Sequence, residues 1–167
     1  VESVLPLRVN AGGGYVLDSL ARTFQPDSGF TGGSAQTDSG YDVAATDDDA
    51  LFLSYRAGTS FSFTAPALNG LYSLWLEFAE PNASAVAGQR VFTVQSGATS
   101  LLNNFDITQS AGATRTAIAA NFDITISGGS LDLNFSASAG EALVDAIVLM
   151  PTDPPTEAAA YSWANLS

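Results

Sequence analysis

From residue 70 to 80, "GLYSLWLEFAE", apolar and polar positions alternate. Tyr72, Leu74, Leu76 and Phe78 fall on one face of an extended chain, and Ser73, Trp75 and Glu77 on the other. That is the period of a strand buried on one side. Comparable segments recur at "VLPLRV" (4–9), "LFLSYR" (51–56), "SFSFTAP" (60–66), "RVFTVQSG" (90–97), "TAIAANFDITIS" (116–127), "SLDLNFSAS" (130–138) and "LVDAIVLMP" (143–151). All are short, β-branched or aromatic, and bounded by turn clusters such as "LNG" (68–70) and "SGG" (127–129). Helical periodicity is missing; only "TEAAAYSWANLS", after the linker-like "PTDPP", leaves room for a terminal helical turn. The pattern predicts an all-β fold, a two-sheet antiparallel β-sandwich of jelly-roll-like type, over residues 1–151. Residues 152–167 read as a Pro/Thr-rich linker or tail.

Residues 24–49 break this rhythm. They are rich in Gly, Ser, Thr and Asp, and predict a long irregular connection of the kind that tends to carry function. Gly12, Gly13 and Gly14 match no phosphate-loop spacing and read as turn residues. "NFDIT" occurs at 104–108 and 121–125; five residues make no repeat architecture, and both copies are expected to begin strands.

Composition narrows the chemistry. The chain has 167 residues, enough for one domain with a real core, and 46 % of them are hydrophobic. No apolar run reaches the ~18 residues of a membrane helix. No leader pattern follows Val1, so a secretion signal would lie outside these residues. Five cations, all Arg, face 17 acidic residues, for a net charge of −12. Such a surface repels phosphate backbones, making nucleic acid and anionic membranes poor partners, although solubility alone also accounts for it. With no Cys, His or Lys, the chain cannot build a disulfide, a Ser-His-Asp triad, a Cys-His pair, a Schiff base or a His-bearing zinc site. Zero Cys fits a bacterial extracellular protein as well as a cytosolic one.

Carboxylate chemistry of the glycosidase or lyase type remains. Glu77 and Glu80 lie three residues apart on one strand, so they point to opposite faces and cannot flank one glycosidic bond. Glu80, before Pro81, is expected to anchor the next loop through backbone N–H groups. Trp75 is either a sugar platform on a concave sheet or, as expected here, covered by the other sheet or the 24–49 segment. "TDDDA" (46–50) offers hard oxygens, making Asp47 and Asp49 weak calcium candidates, but it lacks the Gly and distal Glu of an EF-hand. Three sequons, at Asn82, Asn134 and Asn165, carry little weight in a Ser-rich chain.

Seven ordered fragments carry a family resemblance: "RVNAGGGY" with Asp18, "FQPD" (24–27), "LFLSYRAGTSFSF" (51–63), "NGLYSLWLEFAEP" (69–81), "GQRVFTVQSG" (88–97), "FDI" (105–107) and "LVDAIVLMP" (143–151). Together they resemble malectin-like domains, the carbohydrate-binding modules of an animal lectin, plant receptor kinases and bacterial surface proteins. The resemblance implies a jelly-roll-like sandwich and sugar binding without catalysis or cofactor. It also implies a site on loops at one end, here 34–42, 54–58, 81–88 and 138–142. Aromatic faces and planar charged groups suit pyranose rings and their hydroxyls. Carried onto this chain, the ligand-binding set becomes Tyr41, Tyr55, Arg56 and Glu141. The family's aromatic pair after FAE has no counterpart in "PNASAVAG", which leaves open a structural or protein-interaction module that has lost the pocket. Related modules also hold calcium near an Asp in the last strand, making Asp145 a third weak metal candidate. Asp145 is expected instead to accept hydrogen bonds from Arg8 or backbone groups. Arg90 is expected to neutralise Glu77 or Glu80. The implied partners are oligo- or polysaccharides and other domains of a larger secreted or cell-surface protein.

Overall fold

A computed structural model of the chain describes residues 6–152. The predicted terminal helical turn, the sequon at Asn165, residues 4–5 of the first strand and nearly all of the tail lie outside these residues.

Two antiparallel sheets form the sandwich. The first contains β1 (Leu7–Asn10), β12 (Ala146–Pro151), β6 (Gly70–Phe78) and β9 (Ile118–Ile126), in that order. The second contains β4 (Phe30–Thr37), β5 (Ser54–Pro66), β7 (Val91–Ser96), β8 (Thr99–Phe105), β10 (Ser130–Ala139) and β11 (Ala142–Val144). β5 pairs with β4 along one edge and with β10 and β11 in succession along the other. After β5 the chain crosses to β6, back to β7 and β8, over to β9, back to β10 and β11, and finally to β12. The turns at 68–70 and 127–129 therefore join sheets rather than close hairpins. They are tied together by Ala67 N–H to the Gly129 carbonyl and Gly129 N–H to Asn69 Oδ1.

The alternation read along β6 holds. Tyr72, Leu74, Leu76 and Phe78 are buried between the sheets, where they meet Phe61, Phe63, Phe92, Leu133, Phe135 and Ile147. Phe61 and Phe135 stack at 4.5 Å, and Phe78, Phe92 and Phe105 form a triad with centroids 5.1 to 5.8 Å apart. Fully burying each such ring contributes roughly 1.5–3 kcal/mol. A second, smaller cluster of Phe24, Val43, Leu51, Phe52, Ala79, Ala146 and Val148 lies on the outer face of the four-stranded sheet.

Four expectations are corrected. Residues 24–49 are not uniformly irregular: they contain β3 (Thr23–Phe24, paired with β2, Val16–Leu17) and the eight-residue β4. "LFLSYR" splits, because Leu51 and Phe52 end a short helix, α1 (Asp49–Phe52), while Ser54 starts a 13-residue strand that absorbs 60–66. Only the second "NFDIT" lies within a strand. In the first, Phe105 ends β8 and Asp106 caps a second helix, α2 (Ile107–Ala111), by accepting the Gln109 N–H at 3.0 Å. "LVDAIVLMP" is two strands in two sheets, parted at Asp145, whose N–H donates to the Glu77 carbonyl and whose carbonyl accepts the Ala11 N–H. Local pattern cannot foresee these changes, since pairing across distant residues decides them.

The outer face of β6 gives a fifth correction. Trp75 was expected to be covered, yet it is 40 % exposed. Its neighbour on β12, Val148, belongs to the small outer cluster, and Asn121 of β9 stands on its other side.

Candidate ligand-binding site

β5 delivers Tyr55 to one end of the sandwich. Gly12 makes this possible: its φ is +73°, and a Cβ there would lie 2.1 Å from the Tyr55 carbonyl oxygen. Only glycine permits that approach without strain. Tyr55 packs against the main core and turns its hydroxyl to Asp38 Oδ2 at 3.5 Å. The Tyr41 hydroxyl donates to the same oxygen at 3.2 Å. Asp38 is set in place by its own N–H, which donates to the Leu53 carbonyl at 2.7 Å. Over the Tyr41 ring lies the Arg115 guanidinium, 3.8 Å from the centroid, a cation–π contact.

A salt bridge fixes the floor. Glu80 is 1 % exposed and accepts from Arg90 Nε at 2.6 Å and Nη2 at 3.2 Å. The paired geometry is that of a two-point guanidinium–carboxylate contact. Glu80 also accepts the Asn82 N–H at 3.1 Å, its carbonyl accepts the Arg115 N–H at 2.8 Å, and Arg90 Nη1 donates to the Glu141 carbonyl at 2.8 Å. One ion pair therefore joins the end of β6, the 81–90 loop, the Arg115 segment and the turn before β11. Gly140 (φ +63°) closes that turn against the Gln89 carbonyl, which a Cβ would approach to 2.5 Å. The loop-anchoring expected of Glu80 is present, and so is its pairing with Arg90.

Burial foremost, with the Asp38 charge adding and Arg115 opposing, raises the Tyr41 phenol above its usual range. Burial and then Asp38 push Tyr55 up to about 12. Both phenols hold their protons at neutral pH and stay hydrogen-bond donors. Asp145, fully buried nearby, has its carboxyl raised above its usual value by desolvation. Its Oδ2 accepts the Ala79 N–H at 2.8 Å, while its Oδ1 has no partner. This end of the molecule thus presents aromatic faces, phenolic donors, a carboxylate and guanidinium groups.

The candidates divide. Tyr41 and Tyr55 are brought together. Arg56 is not in a loop: it lies within β5 on the face opposite Tyr55, with Nη2 2.5 Å from Asp27 Oδ2, Nη1 near the Gly32 and Gly33 carbonyls, and Phe30 beneath it. Glu141 joins the network through its carbonyl, and its side chain is exposed. Asp47 is exposed, and Asp49 accepts the Val43 N–H at 3.3 Å. Among the described residues no three His, Cys, Asp or Glu side chains gather as a metal set. The Arg8 guanidinium contacts Met150 Sδ, leaving the Asp145 side chain a backbone donor alone. Asp38 and Arg115 were missed. Asp38 lay inside the expected 34–42 site loop but was not singled out there, and Arg115 is far away in sequence, so neither carried a local signal of its own.

The family model described as "Malectin domain" matches residues 5–158. Bacteroides uniformis beta-glucuronidase superposes with a TM-score of 0.77 at 21 % identity, over 89 % of this chain and 18 % of that one. The ANXUR2 extracellular domain from Arabidopsis thaliana gives 0.77 at 17 % identity, over 88 % and 48 %. The plant receptor FER, in a complex with the peptide RALF23 and LLG2, gives 0.73 at 15 % identity, over 89 % and 49 %. At these identities the likeness is one of fold. The chain spans between a fifth and a half of these structures. No curated protein matches its sequence.

Proposed function

Because the chain belongs to the malectin family, we propose that it is a non-catalytic carbohydrate-binding module of a larger secreted or surface protein. Its ligand would be a hexose oligosaccharide held at the loop-rich end of the sandwich. The observation that carries this reading is the convergence of Tyr41, Tyr55, Asp38 and Arg115. Two phenols and a stacked guanidinium around one carboxylate match the alternating apolar faces and hydroxyl edges of a pyranose. Glu141, exposed on the neighbouring turn, is the remaining carboxylate within the ligand-binding set. Arg56 is bound to Asp27 and contributes through the position of β5. A lone site of this kind binds at micromolar to millimolar strength, about −8 to −4 kcal/mol, with multivalency in the parent protein adding avidity.

A glycan array, with and without calcium, followed by calorimetry tests the reading. Tyr41→Ala and Tyr55→Ala should each weaken a hexose ligand about tenfold or more while the protein stays folded.

A second reading has its own support: at this end the polar groups already satisfy one another, Tyr41 and Tyr55 through Asp38 and Glu80 through Arg90. A network closed in this way suits a protein-interaction module, and silence of the folded protein across the array would favour it.

A further inference from the structure

Asp145 stands between β11 and β12, where the chain leaves one sheet for the other, and it is fully buried. Its contacts lead to the loop-end cluster by two routes. On one side, its Oδ2 accepts the Ala79 N–H at 2.8 Å. The next residue, Glu80, offers its carbonyl to the Arg115 N–H at 2.8 Å, and the Arg115 carbonyl accepts the Ala44 N–H at 2.8 Å. Ala44 continues the Tyr41 segment, and the Arg115 guanidinium lies over the Tyr41 ring. Arg115 adopts φ +50°, a left-handed backbone that a residue with a side chain keeps only where its surroundings enforce it. On the other side, the Asp145 carbonyl accepts the Ala11 N–H at 2.9 Å. Asn10, one residue earlier, accepts the Ser54 hydroxyl at 2.8 Å, and Gly12, one residue later, lies against the Tyr55 carbonyl. The two routes meet again at Asp38, which accepts from both phenols.

The second carboxyl oxygen of Asp145, Oδ1, has no partner. The charged and titratable groups around it are Glu77 of β6, Glu80 just past that strand, Arg90 before β7 and Tyr55 of β5. Arg90 is already committed to Glu80 at 2.6 Å. A carboxylate at this place would hold one N–H and no counter-ion of its own, with two acids beside it. Burial foremost, and then these acids, favour the neutral form. Ionisation would draw Arg90 off Glu80 or let water in, and either change moves the Ala79–Glu80 peptide from which Arg115 hangs.

We propose that Asp145 is the positioning residue of the loop-end site, holding the Tyr41 and Tyr55 segments in register through its side chain and its own peptide. This role rests on the carbohydrate reading of that end and adds a regulation to it. Ligand affinity follows the protonation of a carboxyl that the ligand never touches. Recognition sites tolerate displacements of only about 0.5 Å, and two segments hung on one residue shift together. The site is intact on the acid side. Affinity declines as pH rises through the folded-state value of Asp145, because the neutral form is lost there.

The experiment follows the full chain by NMR from pH 4 upward, first alone and then in titrations with maltotriose, a neutral gluco-trisaccharide. In the parent, the Asp145 Cγ signal, the Ala11, Ala79 and Arg115 amides and the Tyr41 and Tyr55 rings should move with one midpoint. Maltotriose affinity should fall by up to about tenfold per pH unit above that midpoint. Asp145→Asn keeps an acceptor for Ala79 without the charge, so it should bind as the parent does at acid pH and lose the pH dependence. Glu77→Gln removes an acid beside Asp145 and should keep the dependence while lowering its midpoint. The role is overturned if the tyrosine rings ignore the Asp145 titration, if Asp145 keeps one state across the range, or if Asp145→Asn retains the parent's profile. The signals of the free protein decide the positioning even where maltotriose does not bind. That failure would count against the carbohydrate reading alone.

Discussion

Glu77 and Glu80 stand three residues apart and have opposite fates. Glu80 lies where β6 ends, and five contacts converge on it and its Arg90 partner: two from the guanidinium, one from Asn82, and the carbonyl links to Arg115 and Glu141. Glu77 lies within the strand, with one oxygen buried and unpartnered. Burial pushes its carboxyl up, with Asp48 and Asp18 adding and Arg22 opposing. A buried charge that is fully paired is architecture, since removing a partner strands the other charge. A buried acceptor left open is either a cost the fold tolerates or a place kept for a ligand. The Glu80 network fixes where loops stand, while Glu77 keeps one buried oxygen without a bond.

Breaking the first region should have the largest effect. Arg90→Ala leaves the Glu80 carboxylate buried without its counter-charge and should lower stability by about 3 kcal/mol, measured by urea unfolding. The double change Glu80→Gln with Arg90→Met should cost far less, because no charge is then stranded. Equal losses in the two proteins would show that packing rather than charge pairing holds this end.

The pH dependence sharpens the same contrast. Asp145 is raised from an unfolded value of 3.8, so the folded state holds a proton that the unfolded state loses. Its contribution is complete below 3.8 and declines as pH rises through the folded value. Asp18 has the opposite sign: burial raises it, but the Arg22 and Leu20 N–H groups and the Arg22 guanidinium outweigh this and lower it. Its contribution is present above 3.8 and declines as pH falls through the folded value. Melting temperature measured against pH should therefore fall less steeply above pH 4 in Asp145→Asn than in the parent. An unchanged slope would mean that Asp145 is ionised in the fold.

The smallest effect is expected at Glu77. Glu77→Gln removes a desolvated charge that has no partner, so stability should stay level or rise by about 0.5 kcal/mol at neutral pH, read by thermal unfolding. A marked loss would show that Glu77 is held by contacts like those of Glu80, and the contrast would collapse.

Much of the fold was legible because a strand's period is local: the inward row of β6, the positions of β9 and β10 and the turns between them all follow from side-chain alternation. The absence of His, Cys and Lys likewise excludes whole classes of chemistry from the sequence alone. The Glu80–Arg90 pair was half legible, as a buried acid and a cation with two possible assignments. What required tertiary structure was everything set by non-local pairing. Asp145 divides two strands because the chain changes sheets there. Arg56 turns away from Tyr55 because neighbouring strand residues face opposite sides. Asp38 meets Tyr41 and Tyr55 only after β5 has folded past Gly12. Trp75 stays 40 % exposed although its β12 neighbour Val148 belongs to the outer cluster, a matter of how far a distant segment reaches, which no period along the chain records.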